Sequence, residues 1–91
     1  MSNNVAIGSN ALATASSNTA GNGTVAVGYL ALRRLTTGNG NVAIGNKAGE
    51  EVTTGSDNTL MGYYAADILT TGSHNTVIGY CAGGVMTGAS Y

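Results

Sequence analysis

The 91-residue chain has no proline, phenylalanine or tryptophan, and it has one cysteine and one histidine. A core built on large aromatic side chains is therefore excluded. One cysteine cannot form an internal disulfide, and one histidine without a second cysteine cannot build a zinc site of the usual kind. A chain this short buries only about 60–65% of its unfolded surface when it folds alone. We therefore expect partner chains to stabilise it.

Charge is also scarce, at 8% of the residues, and the formal net charge is −1. The sequence has no basic cluster for nucleic acid or anionic lipid, and no apolar run has the length of a membrane-spanning helix. Its first residues, MSNNVAIGSN, lack the basic and apolar regions of a signal peptide. We predict no nucleic-acid partner and no membrane insertion. The chain is expected either to be intracellular when made or to be cut from a longer protein.

What the chain does contain is 15 glycines and one short sequence repeated five times, as VAIG, VAVG, VAIG, TLMG and TVIG. The copies end at Gly8, Gly28, Gly45, Gly62 and Gly79, so the spacing between them is first twenty and then seventeen three times. A second set of glycines has an even spacing of seventeen, at Gly21, Gly38, Gly55 and Gly72. A fixed period of this length predicts a parallel β-solenoid with one coil per repeat, since helical repeats need roughly 30 residues or more. The glycines are interpreted as turn residues.

The repeats predict a single all-β domain over residues 1–91, with about five coils of seventeen residues each. The coils are placed around residues 2–21, 22–38, 39–55, 56–72 and 73–91. We expect two strands in each coil, the first from VAIG and its equivalents, the second from segments such as ALRRLTT. Successive coils then stack as parallel strands about 4.8 Å apart, with like residues above like.

Three apolar columns follow from this stacking. The first contains Ile7, Val27, Ile44, Met61 and Ile78; the second contains Ala6, Ala26, Ala43, Leu60 and Val77; the third, on the second strand, contains Leu35, Val52, Leu69 and Met86. Adjacent strand residues point to opposite faces, so one of the first two columns faces the solenoid interior. The other must face an equally dry surface, most simply a second copy of the chain. We expect Ile44→Asp to unfold the chain or to prevent its assembly.

Polar residues stack with the same period. A ladder of side chains is predicted before the first strand, at Asn4, Thr24, Asn41, Asn58 and Asn75. On the second strand Arg33 aligns with Glu50, and Arg34 aligns with Glu51. These cross-strand pairs are expected to fix the register of the coils and to do no chemistry.

The stretches NNVAIGSNA, GNVAIGNKAG and NTVIGYCAG resemble the head repeat of trimeric autotransporter adhesins, the YadA-like family. The longer unit TTGSHNTVIGY is similar to repeats of phage tail-fibre and adhesin-like proteins. The resemblance implies a left-handed parallel β-roll in which three chains pack side by side as an adhesive head. The family's coiled-coil stalk and membrane anchor do not occur in this sequence, which favours a phage-fibre segment or an excised module.

Several residues are candidates for a binding site, and each also has a purely structural interpretation. Tyr29, Tyr63 and Tyr80 share a column that either binds sugars or a protein receptor or simply stacks along the rod. His74 and Asp57 align for a hydrogen bond or a weak metal site, although a histidine in a polar turn is usually only solvated. Cys81 is interpreted as a small turn residue. Paired threonines such as Thr36 and Thr37 resemble the ranks of ice-binding solenoids, with one outward rank per pair.

No strained GxSxG turn is present, so we predict that the protein is not an enzyme and uses no cofactor or metal. The predicted function is a homotrimeric structural and adhesive module, a head or shaft segment of a phage tail fibre or trimeric adhesin. It would act on a virion tail fibre or at a bacterial cell surface, contacting a host receptor of protein or glycan. The uncharged ends predict either that the rod continues in a longer parent protein or that trimers associate end to end. The alternative is a solenoid that binds carbohydrate or ice.

Overall fold

The computed structural model describes residues 3–13, 22–66 and 69–83. Within these ranges the chain is a β-solenoid without helices, and five parallel strands form one sheet in sequence order. The strands are β1 (Val5–Ile7), β2 (Val25–Val27), β3 (Val42–Ile44), β4 (Thr59–Met61) and β5 (Thr76–Ile78). Four turns of the chain separate β1 from β5, and the predicted fold class is confirmed.

The register of the sheet follows the repeat. Ala26 pairs with Ala43, and Ala43 pairs with Leu60, so that equivalent residues lie directly above one another. The pairing also spans the longer first interval, because Ala6 pairs with Ala26. The extra residues of that interval lie mostly within residues 14–21, which are outside the described part of the chain. Met86, a member of the third predicted column, also lies outside the described residues.

The prediction of a second strand in each coil is wrong. Residues 29–34 and 46–51 wind as consecutive turns, in which Ala31 N–H donates to the Gly28 carbonyl and Arg33 N–H to the Leu30 carbonyl. Every second residue of this side has a positive φ, as at Leu30 (61°) and Leu32 (52°). The N–H groups of these two leucines donate instead to the neighbouring coils. Hydrogen bonds between coils therefore hold a backbone conformation that L-residues otherwise avoid.

The core lies between the strands and this wound side. Its fully buried side chains include three members each of the second and third predicted columns, at Ala26, Ala43, Leu60, Leu35, Val52 and Leu69, and Val77 is buried almost completely. Ala6 is exposed, and it belongs to β1, the first strand of the sheet. The sequence reasoning missed the other half of the core, a column of alanines that includes Ala31 and Ala48.

The first column does not belong to the solenoid core. Ile7 and Ile78 are 60% and 63% exposed, Met61 is 40% exposed, and Val27 and Ile44 are half-buried. These side chains point away from the interior because the middle residue of each three-residue strand points inward and its two neighbours point outward. The column therefore forms part of the outer face of the sheet.

Large and small residues compensate for one another across the core. Gly49 leaves a space that Leu60 and Leu32 fill, since a methyl group added at Gly49 would lie 2.6 Å from Leu60 Cδ1 and 3.0 Å from Leu32 Cδ2. The two leucines belong to the coils on either side of the one that contains Gly49. Packing is thus shared between coils, and no single repeat builds a core of its own.

Both predicted sets of turn glycines lie at corners, for different reasons. Gly28 and Gly45 have φ values of 131° and 134°, which side chains rarely adopt. Gly38 and Gly55 have no such φ, but a methyl group on either would collide with the carbonyl oxygen of the equivalent glycine in the next coil. The remaining glycines of these two sets in the described residues are Gly8, Gly62, Gly72 and Gly79.

Candidate interaction surfaces

The outer face of the sheet is an apolar surface of the described residues. Each strand contributes its first and third residues to this face, and none of the ten residues is charged. Eight are aliphatic, and the other two are Thr59 and Thr76. Isolated apolar residues on a surface need no explanation, but a contiguous patch is typical of an interaction site.

Five of the six charged residues in the described part of the chain lie on the wound side of the coils. Arg33 Nε lies 3.1 Å from Glu50 Oε2, and Arg34 Nε lies 3.2 Å from Glu51 Oε2, which confirms both predicted pairs. In each pair the positive charge belongs to one coil and the negative charge to the next coil. The charge therefore stabilises register on one side and leaves the outer sheet face neutral.

The asparagine ladder is buried and bonds along the rod as predicted. Asn58 uses its backbone N–H and its Nδ2 to donate to Asn41 Oδ1, both at 3.0 Å. Asn75 repeats the pattern on Asn58 Oδ1, at 3.0 and 3.1 Å. Asn58 Nδ2 also donates to the Gly72 carbonyl at 2.9 Å, which closes its own coil. These amides are structural, and their polar atoms face the interior.

Tyrosines form the second exposed surface. The rings of Tyr63 and Tyr64 are parallel, with centroids 4.3 Å apart, and Tyr63 and Tyr80 stack at 5.6 Å. Lys47 Nζ lies 5.0 Å from the centre of the Tyr64 ring. We call these four residues the aromatic ridge. Tyr29 stands apart from it, because Asn46 occupies the position between Tyr29 and Tyr63 in the column.

Three side chains of the ridge have raised pKa values. A hydrogen bond to Tyr64 raises the pKa of the Tyr63 phenol above its ordinary value, and a hydrogen bond to Cys81 raises that of Tyr80. The Lys47 ammonium also bonds to Tyr64, which raises the pKa of Lys47. The sequence reasoning named Tyr63 and Tyr80 but missed Lys47 and Tyr64. These two residues hold the same position in successive repeats, which is the signal that would have identified them.

The remaining candidates form no composite site. His74 Nδ1 lies 3.9 Å from Asp57 Oδ2, and both side chains are exposed. Cys81 is a free, exposed thiol. In the threonine pairs, Thr36 and Thr53 donate their hydroxyls to carbonyls of the next coil. The outward rank consists of Thr37, Thr54 and Thr71.

The described residues contain no cavity, no group of three metal-ligating side chains, and no helix long and apolar enough to cross a membrane. In comparisons with known proteins, no family model, curated protein or solved structure matches this chain.

Proposed function

We propose that this chain is a non-catalytic structural and adhesive module that assembles as a homotrimer. It would form a head or shaft segment of a phage tail fibre or of a trimeric adhesin on a bacterial surface. The observation that carries the proposal is the uncharged, aliphatic outer face of the sheet, including Ile7, Met61 and Ile78. The number three and the adhesive role rest on the resemblance of the repeats to those of trimeric adhesins.

Another copy of the same chain is the partner that fits this face best. The side chains of this face repeat with the coil spacing of a parallel sheet, about 4.8 Å. Only a surface with the same spacing can pack against every row of side chains along the rod. The side chains of the face offer no charge, and only Thr59 and Thr76 offer a hydrogen-bonding group. Burying the patch removes apolar surface from water, which is the main favourable term in such associations.

Sedimentation velocity over a range of concentrations tests the assembly. A species with three times the chain mass of 9.0 kDa is expected at all but the lowest concentrations. Larger species that grow with concentration would support end-to-end association as well. A dimer would contradict the number three, and a monomer throughout would contradict the proposal.

Surface attachment is tested separately, with fluorescently labelled chain incubated with bacterial and animal cells. Avidity makes a trimer bind more strongly than its subunit, so the wild-type chain should label receptor-bearing cells better than Ile44→Asp. Assembly without labelling of any cell would support a shaft segment and contradict an adhesive head.

Ice binding is the second candidate function, favoured by the exposed rank of Thr37, Thr54 and Thr71. Their spacing follows the coil period, as an ordered water-binding surface would require. Thermal hysteresis measures this activity directly. Hysteresis that disappears in Thr54→Tyr would support it, and its absence in the wild-type chain would exclude it.

A further inference from the structure

The aromatic ridge is preorganised. Tyr63 has the Tyr64 ring parallel to it at an interplanar angle of 1°, and the Tyr80 ring stacked at 18°. Lys47 lies over Tyr64, so the ridge extends over the coils of β3, β4 and β5. Rings held in this way lose little side-chain freedom when a ligand arrives, and rigid aromatic residues are typical anchors of binding surfaces.

We propose that the aromatic ridge docks a neutral carbohydrate, with a sugar ring stacked on Tyr80 and its hydroxyls reaching the phenols of the ridge. The inference rests on the adhesive role proposed above and names the class of its receptor.

The exposure of the rings is the first argument. Tyr80 is 76% exposed and Tyr63 is 47% exposed, although both are large and apolar over most of their surface. A pyranose ring combines an apolar face of C–H groups with a rim of hydroxyls, which matches a tyrosine that has an apolar body and a polar tip. The one cation of the ridge, Lys47, is already held by Tyr64, so an anionic group on the ligand is not required.

The size of the ridge favours a sugar over a protein. A stable protein partner usually buries about 800 Å² on each side, whereas the whole chain exposes 4177 Å². Three side chains supply a small part of such an interface. They are sufficient for one or two sugar rings, which are recognised mainly by stacking.

The position of the ridge along the rod is an independent observation. The first outward residue of each strand is valine in β1, β2 and β3 but threonine at Thr59 and Thr76. The apolar part of the outer face is therefore narrower at β4 and β5, which belong to the coils that carry Tyr63, Tyr64 and Tyr80. The ridge thus lies in the coils whose part of the outer face carries hydroxyl groups.

The test is an NMR titration of the full chain with cellotetraose, a β-linked glucose tetrasaccharide with equatorial hydroxyls and flat C–H faces. Shifts are expected in the ring signals of Tyr63 and Tyr80. Tyr80→Ala should weaken binding by between about twofold and tenfold, the range of an aromatic contact. Tyr29→Ala is the matched control, because Tyr29 lies in the same column, is 47% exposed and has Asn46 rather than a ring beneath it.

Absence of shifts at saturating sugar, or equal loss of binding in both variants, would overturn the proposal. Protection of the ridge tyrosines by a cell-surface protein without sugar binding would overturn it in favour of a protein partner. The mass of each sample is measured in parallel. A trimer that binds no sugar contradicts only this inference, and a monomer that binds sugar contradicts only the proposed assembly.

Discussion

Asn58 and Asn41 are joined by two hydrogen bonds, since the backbone N–H and the Nδ2 of Asn58 both donate to Asn41 Oδ1. Asn41 Nδ2 in turn donates to the Gly55 carbonyl at 2.8 Å. One buried side chain therefore links neighbouring coils and closes its own coil. Because the Asn41 and Asn58 amides have their partners in the interior, removing one of them leaves several buried polar groups unsatisfied.

Asn58→Ala should lower the free energy of unfolding by at least about 2 kcal/mol, because the substitution removes the donor to the Gly72 carbonyl and the oxygen that accepts two hydrogen bonds from Asn75. Chemical denaturation followed by circular dichroism measures the change. Asn46→Ala is the matched control, since Asn46 lies outside the ladder and is expected to change stability by less than about 0.5 kcal/mol. Equal effects in the two variants would show that the ladder does not stabilise the rod.

Thr24→Asn should stabilise the protein. The hydroxyl of Thr24 is buried and has no hydrogen-bond partner among the described residues. An asparagine here could accept from Asn41 N–H and donate to the Gly38 carbonyl, as Asn41 does to Gly55 in the next coil. We expect a gain of about 1 kcal/mol in the free energy of unfolding. A lower melting temperature than wild type would mean that the coil of β2 has no room for the longer side chain.

Gly55→Ala and Gly23→Ala separate two reasons for a glycine, which are close contact with the next coil at Gly55 and a positive φ at Gly23. A methyl group at Gly55 meets the Gly72 carbonyl oxygen, so the coils must move apart and at least about 2 kcal/mol of stability should be lost. At Gly23 the methyl group meets nothing within 4 Å, and only the φ of 65° opposes it. That strain amounts to about 1 kcal/mol. A larger loss at Gly23 than at Gly55, measured by urea denaturation, would contradict this assignment.

Stability should fall at alkaline pH. The pKa values of Tyr63 and Tyr80 are raised in the folded chain, so the folded state holds their protons above the ordinary value of about 10, where the unfolded chain has lost them. Their contribution is complete below about pH 10 and is lost as the pH rises through the folded values. Absorbance of phenolate during titration measures the shift. Tyr64→Phe should lower the Tyr63 value, and an unchanged titration would contradict the hydrogen bond.

The sequence predicted the fold because its glycines and asparagines recur at a fixed interval, and that interval alone sets which residues stack. It did not predict the wound side of each coil. Leu32 and Ala66 adopt positive φ there. The backbone preferences of leucine and alanine do not indicate this conformation, because hydrogen bonds between coils compensate for its strain. Periodicity also cannot decide which of two apolar columns lies inside. Ala43 and Ile44 were both predicted to be buried, but only Ala43 lies in the solenoid core.

The same limit applies to the surfaces. Tyr63 and Tyr80 share a column, so their stacking followed from the repeat. Tyr64 belongs to the next column, and its approach to Tyr63 depends on side-chain orientation, which the period does not specify.

The most direct measurement is the absolute mass in solution, by light scattering after size exclusion, of the wild-type chain, Ile44→Asp and Ala43→Asp, each with its far-ultraviolet circular dichroism. We predict a β-rich wild-type species of three times 9.0 kDa. Ile44 lies on the outer face, so Ile44→Asp should be a folded monomer, whereas Ala43→Asp places a carboxylate in the core and should unfold the chain. A folded wild-type monomer, or an Ile44→Asp variant that still assembles, would contradict assembly through this face.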